Sequence, residues 1–194
     1  MKILKLFPSL ILGEVLSGIS QEETFKYINY CKSLENEDDQ INGKFSKNQK
    51  VLNNELFSSL SSTILDYSKK LLNSYNHVFE DLQISNSWVN ILNKNERIST
   101  HFHSNSYVSG VYYLTNASPI YFESPLNDKW SFIERFTLHD DSKFKINPKP
   151  NLLLLFPSFL KHKVLPSDSD GRISIAFNII PKGEFGEPTQ KLYL

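Results

Sequence analysis

From His77 onward the chain runs in short stretches rich in Val, Ile, Leu, Tyr, Phe and Thr, broken by Asn, Pro, Gly, Ser and Asp about every ten residues. That rhythm is too short for helices and restricts this part of the chain to antiparallel strands in a sandwich or barrel. The runs are 82–92, 97–103, 108–115, 119–124, 130–138, 144–147, 152–156, 162–165 and 172–180.

The first eighty residues read differently. Ser20-Gln21-Glu22-Glu23 has the spacing of a capping box, and Phe25, Ile28, Cys31 and Leu34 then recur at helical intervals. Residues 36–50 are polar and are expected to form a surface loop. Leu56, Leu60, Ile64, Leu71 and Tyr75 mark a second amphipathic helix over about 53–76, with Lys69 and Lys70 toward its C-terminal end. Both helices are expected to pack on one side of a sheet. Within 194 residues this gives a single domain, with helical support over about 1–80 and a β core over about 82–180.

Composition narrows the function. The 21 Lys and Arg balance the 21 Asp and Glu, so no net field draws the chain to nucleic acid or an anionic membrane. Only 7 glycines are present and no Gly-rich phosphate loop occurs, which removes kinase, P-loop and dinucleotide-binding readings. Lys5, Pro8 and Glu14 interrupt the apolar opening, so neither a leader peptide nor a membrane span is expected. A lone cysteine, Cys31, reads as a structural thiol in a reducing, cytoplasmic setting.

The histidines carry the chemistry. His101 and His103 form a His-x-His pair in the run 97–103, where strand alternation sends both imidazoles to one side and Phe102 to the other. His162 follows where a loop turns back into a strand. Three neutral imidazoles suit iron, zinc, copper or nickel and leave positions open for other ligands. Ten residues past His162, Arg172 shares a strand face with Ser174, Ala176 and Asn178, while Ile173, Ile175 and Phe177 take the other face. A guanidinium with a hydroxyl beside it is a clamp for a carboxylate. His77 and His139 read as structural, and neither Asp140-Asp141 nor Asp168 with Asp170 shows the ligand alternation of a calcium loop.

Taken together, Trp88-Val89-Asn90, His101-Phe102-His103-Ser104-Asn105-Ser106, Ser109-Gly110-Val111-Tyr112-Tyr113-Leu114, Leu155-Phe156-Pro157-Ser158 with His162, and Arg172 through Asn178 resemble the iron(II) and 2-oxoglutarate-dependent oxygenases, in particular a small bacterial and phage group. The opening Leu6-Phe7-Pro8 is similar to the start of that group. The resemblance implies a double-stranded β-helix, a cupin-like jelly roll, with the metal at its open end. It implies Fe(II) held by His101, His103 and His162, and 2-oxoglutarate held by Arg172 with Ser174, Tyr113 and Asn90. Dioxygen and a protein, peptide or small-molecule substrate would be the further partners, with a peptidyl proline or another amino-acid side chain as the first expectation. His103 stands where most of the superfamily carries a carboxylate, and a second registry would take His103 and Asn105 as ligands and leave out His101. Selectivity is expected in loops 36–50, 124–129 and 165–171, with Trp130, Phe132 and Phe136 as candidate lining. A non-catalytic metal and small-acid binder and a zinc hydrolase are the alternatives.

Overall fold

The computed structural model describes residues 9–39, 42–125, 143–185 and 189–194. Leu6-Phe7-Pro8, the run 130–138 with Trp130, Phe132 and Phe136, most of loop 124–129 and the His139-Asp140-Asp141 turn lie outside the described residues.

Strand β1 (Leu12–Val15) is followed by helix α1 (Gln21–Ser33), the hairpin β2 (Asn36–Asp39) and β3 (Gly43–Ser46), and helix α2 (Ser58–Asn73). Then come β4 (Asp81–Leu92), β5 (Ile98–His101), β6 (Val108–Tyr113), β7 (Ile120–Glu123), β8 (Lys143–Ile146), β9 (Leu152–Pro157), β10 (His162–Val164) and β11 (Arg172–Lys182). Short strands β12 (Glu184–Phe185) and β13 (Leu192–Tyr193) pair with each other. A seven-stranded sheet runs β1-β9-β6-β11-β4-β3-β2, and a four-stranded sheet runs β5-β10-β7-β8. The strands pair antiparallel, and the two sheets form the jelly-roll sandwich that the runs predict.

Strand alternation divides the interior into two cores. On the helix side of the large sheet, Tyr112, Leu153, Leu155, Ile173, Ile175 and Phe177 pack with Tyr27, Cys31, Leu60 and Ile64 of the helices. Between the sheets, Val111, Tyr113, Leu152, Leu154 and Phe156 meet Ile120, Phe122 and Val164. Strands β6 and β9 are therefore buried on both faces, which is why β9 is apolar throughout and β6 is broken only by the small residues Ser109 and Gly110.

The capping box at α1 is complete: Ser20 Oγ accepts from the Glu23 amide at 3.2 Å, and Glu23 Oε2 accepts from the Ser20 amide at 2.9 Å. Of the predicted stripe, Cys31 is fully buried and Ile28 and Leu34 pack against the core, joined by buried Tyr27, but Phe25 is 62% exposed. Two residues are about 200° apart on a helix, so the packing of Tyr27 against Phe57, with ring centroids 4.8 Å apart, turns Phe25 outward. Helix α2 is shorter than the apolar pattern suggests, because Val51–Asn53 and Glu55–Phe57 form 3-10 turns that bury Val51, Leu52 and Phe57 ahead of it.

Residues 36–50 are not the expected loop. The β2–β3 hairpin extends the large sheet through Lys44↔Ile91 and Phe45↔Asn90, with Gly43 at φ 75° supplying a left-handed position beside the turn. Its polar side chains are tolerated because it forms the sheet edge, held by backbone pairing and by Ser46, whose hydroxyl accepts from the Val89 amide at 3.0 Å. Among the described residues no helix is long and apolar enough to cross a membrane.

Candidate functional site

His101 closes β5 and His162 opens β10, and the two are direct cross-strand partners in the small sheet. Their ring centroids lie 4.3 Å apart. His103 lies beyond the end of β5, so strand alternation is not what places it. Its amide donates to the Ser158 carbonyl at 3.0 Å, and its ring stacks on Trp88 with centroids 5.7 Å apart. That brings it to 5.1 Å from His101 and 5.2 Å from His162 between centroids. One ring nitrogen from each of the three falls within 4.8 Å of the others, the one such group able to hold a metal ion among the described residues.

The tautomers of two rings follow from their neighbours. His101 Nδ1 is 2.8 Å from the Ser99 carbonyl and His162 Nδ1 is 2.8 Å from the Leu160 carbonyl. A carbonyl only accepts, so each Nδ1 carries the proton and each Nε2 keeps its lone pair. Burial, reinforced by His101, pushes His162 down to about 3 and His103 down to about 4. Both are therefore neutral at ordinary pH, the state that metal binding would require.

Next to the trio, a cavity of roughly 160 Å³ opens between the sheets. On that measure it could hold about ten waters, room enough for a small dicarboxylate. Its wall on the large sheet is a cross-strand row, because Ser174 pairs with Asn90 on one side and Tyr113 on the other. Arg172, one alternation further along β11, is 2% exposed, and its guanidinium sits over the Tyr113 ring at 5.6 Å. Arg172 Nε and Nη1, Tyr113 OH and Ser174 Oγ are buried without a hydrogen-bond partner. Arg172 and Tyr113 influence each other's ionisation, yet no well-formed hydrogen bond joins them. Burial lowers the guanidinium and pushes the Tyr113 hydroxyl up to about 12. A buried, unpaired cation flanked by two unpaired hydroxyls is costly, and a carboxylate would satisfy all three.

The structure thus brings together His101, His103, His162, Arg172, Ser174, Tyr113 and Asn90 in one cavity. Asn105, the ligand of the second registry, lies elsewhere, in a surface groove with Tyr107 and Pro181 and with φ 55°. Asp170 accepts from the Lys94 amide at 2.8 Å, a structural task. His77 is past the end of α2, where it stacks on Tyr75 and bonds the Tyr107 hydroxyl at 2.7 Å. Sequence reasoning missed Asn42 and Phe45, which reach the cavity from the unrecognised hairpin, and the stacking role of Trp88. Trp88 could have been found, since alternation puts it on the same face as Asn90.

Residues 86–178 match a family described as "Putative 2OG-Fe(II) oxygenase". Among solved structures, a prolyl-4-hydroxylase from Pseudomonas putida is 14% identical, with a TM-score of 0.62 over 89% of this chain and 93% of that one. HygX from Streptomyces hygroscopicus, crystallised with nickel, 2-oxoglutarate and hygromycin B, is 13% identical, with a TM-score of 0.59 over 89% and 82%. The alpha ketoglutarate dependent carbocyclase SnoK from nogalamycin biosynthesis is 10% identical, with a TM-score of 0.67 over 89% and 80%. At these identities the likeness establishes the fold, a double-stranded β-helix. No curated protein matches the sequence.

Proposed function

We propose, from the match of residues 86–178 to the 2OG-Fe(II) oxygenase family, that this chain is an iron(II)- and 2-oxoglutarate-dependent oxygenase that hydroxylates an unactivated carbon, with a peptidyl proline or another amino-acid side chain as the first substrate class to test. One observation carries the cosubstrate part of this reading. The cavity that holds three convergent imidazoles also holds a buried guanidinium and two hydroxyls without partners, the donor set a carboxylate needs.

In this reading His101, His103 and His162 hold Fe(II), the first and last through Nε2. Arg172 grips the far carboxylate of 2-oxoglutarate, helped by Tyr113 and Ser174, with Asn90 beside them in the same row. Bound there, iron with 2-oxoglutarate supplies the oxidising power: dioxygen, 2-oxoglutarate and a C–H bond become succinate, carbon dioxide and a C–OH group. The protein contributes orientation and dryness. Ile98, Ile120, Phe156 and Val164 line the cavity with apolar surface, and Trp88 braces His103. The likeness to a prolyl-4-hydroxylase supports the substrate class, although the same fold also serves a carbocyclase. A zinc hydrolase would need a general base, and no carboxylate lines the cavity among the described residues. Cys31, fully buried with its thiol pushed up to about 12, is an unreactive packing residue and takes no part in this chemistry.

The test is anaerobic titration of the Fe(II)-loaded protein with 2-oxoglutarate, following the visible charge-transfer absorption that chelation produces, in the wild type and in Arg172→Ala. A band in the wild type that is lost in the variant is the expected result. Iron uptake without any band would favour a non-catalytic binder instead. Succinate release on adding proline-containing peptides then tests the substrate class.

A further inference from the structure

Strand β5 is the outer strand of the small sheet, and it ends on His101. Its hold on β10 is thin. Ile98 pairs with Val164 and His101 with His162, but the register shifts between them, so Ser99 and Thr100 stand opposite the single residue Lys163. A bulge of this kind leaves backbone groups without ladder partners, and the aim of the side chains around it then depends on what else binds them. Ser99 matters here, because its carbonyl, 2.8 Å from His101 Nδ1, sets the tautomer of that ring. The Ser99 amide finds its acceptor outside the small sheet: it donates to Asn42 Oδ1 at 3.1 Å.

Asn42 is itself held. Asp39 Oδ1 accepts from the Asn42 amide at 3.1 Å, and Asp39 Oδ2 accepts from Asn42 Nδ2 at 2.9 Å. The reversed side-chain amide would set its oxygen against a carboxylate and its nitrogen against an N–H donor, so the oxygen is the end that Ser99 meets. The turn that carries Asn42 is pressed onto β4. A Cβ on Gly43 would collide with Leu92 and lie 2.8 Å from the Ile91 carbonyl, while Lys44 and Phe45 pair with Ile91 and Asn90. Asn42 and Phe45 also line the cavity together with His101. The β2–β3 hairpin at one end of the large sheet thus ties down the outer strand of the small one. His162 needs no such tie, because β10 is paired with β5 on one side and with β7 on the other.

We propose that Asn42, pinned by Asp39, is a positioning residue that holds the bulged Ser99 so that its carbonyl keeps the His101 proton on Nδ1 and leaves Nε2 free to bind a metal. The inference rests on the reading of the three histidines as metal ligands. With no acceptor at position 42, two pairs separated by a bulge are left to hold β5. The Ser99 carbonyl is then free to turn away from Nδ1, and the tautomer protonated on Nε2, which has no lone pair there for a metal, competes. Asn42 acts through Ser99 and touches neither metal nor substrate in this role.

The test uses the full chain, Co(II) as the probe, Asn42→Leu, which keeps the size and removes the amide, and the double variant Asp39→Asn with Asn42→Asp. The double variant exchanges carboxylate and amide at constant net charge and can remake every bond: the amide at position 39 accepts from the backbone N–H of position 42 and donates to the carboxylate there, which accepts from Ser99. Histidine ¹⁵N shifts of the metal-free protein give the tautomers of His101 and His162, calorimetry gives Co(II) affinity, and the visible Co(II) bands give coordination. In Asn42→Leu, His101 should become a mixture of tautomers while His162 stays as in the wild type, and Co(II) should bind about 2- to 10-fold more weakly, the effect of losing one hydrogen bond. The double variant should restore the His101 tautomer and at least the wild-type affinity. If Asn42→Leu does not fold, Asn42→Ala takes its place. An unchanged His101 tautomer in the single variant, an equal disturbance of His101 and His162, or a folded double variant no better than the single one would each overturn the inference and leave the metal site standing. A wild type that takes up no Co(II) would overturn the metal-site reading and the inference with it.

Discussion

Replacing Arg172 with Met should make the ligand-free protein more stable while removing its grip on 2-oxoglutarate. Arg172 is 2% exposed, and its Nε and Nη1 have no partner. A buried donor left unsatisfied costs about 1–3 kcal/mol, more when charged, and Met fills a similar volume without polar atoms. The variant should therefore gain about 1–3 kcal/mol, which for a chain of 150–250 residues raises Tm by roughly 2–12 °C. Binding should move the other way. A charge-assisted bidentate contact is worth about 2–4 kcal/mol, or roughly 30- to 1000-fold in affinity. Thermal melts of both proteins, metal-loaded and anaerobic, with and without 2-oxoglutarate, read both effects at once. At 100 times Kd the ligand should stabilise the wild type by about 2.7 kcal/mol, and at the same concentration it should barely shift the variant. A variant that melts lower than the wild type without ligand, yet is still stabilised by it, would refute the argument on both counts.

The metal-free protein should lose stability as pH falls below about 6.5, because the unfolded chain protonates histidines that the folded chain keeps neutral. His103 and His162, held down to about 4 and about 3, continue the loss until those values are reached, and denaturant midpoints between pH 7 and 4 that stay level would contradict it. Gly110→Ala should cost about 1–3 kcal/mol or more, since a Cβ there would lie 2.4 Å from Phe177 Cζ and 2.8 Å from the Leu154 carbonyl; urea unfolding measures it. Ser20→Ala should cost about 1 kcal/mol by urea unfolding and leave 2-oxoglutarate affinity unchanged, because the capping box lies on the helical side away from the cavity.

The β core was legible because its signals are local. Along β11 the alternation of Arg172, Ser174, Ala176 and Asn178 with Ile173, Ile175 and Phe177 is written in the sequence, and the structure sends Arg172, Ser174 and Ala176 to the cavity and Ile173, Ile175 and Phe177 into the helix-side core. The β-rich runs and the turn residues between them placed β4, β6, β7 and β9 to within a residue or two at each end. It failed where backbone pairing rather than side-chain burial makes the strand. The β2–β3 hairpin, Asn36 through Ser46, has no apolar alternation to detect. Strand β1, Leu12-Gly13-Glu14-Val15, was hidden for the same reason, since its strand character comes from pairing with Leu152 through Leu155 of β9. His103 was matched to the right cluster on a mistaken premise, since β5 stops at His101 and a contact with Ser158, 55 positions away, supplies what the strand does not. A cluster of hydroxyls could not be read at all. Ser106, Ser109 and Ser158 are unremarkable serines until three separate segments converge on Asn178.

The two sheets have different tasks, and their separation sets what the site can accept. The small sheet delivers His101 and His162 as cross-strand partners, while the large sheet delivers Arg172 and the row Asn90, Ser174, Tyr113. Sheets packed face to face stand about 10 Å apart. A ligand that satisfies both ends must therefore bridge the interior, with one terminus suited to a metal and the other to a guanidinium. Rigidity enforces that distance. Strand β11 is paired along its length with β4 on one side and with β6 over Ser174 to Ile179 on the other, so Arg172 cannot follow a shorter ligand without breaking register. The same pairing sends Ile173, Ile175 and Phe177 into the helix-side core, so the helices that never touch the cavity hold its wall in place.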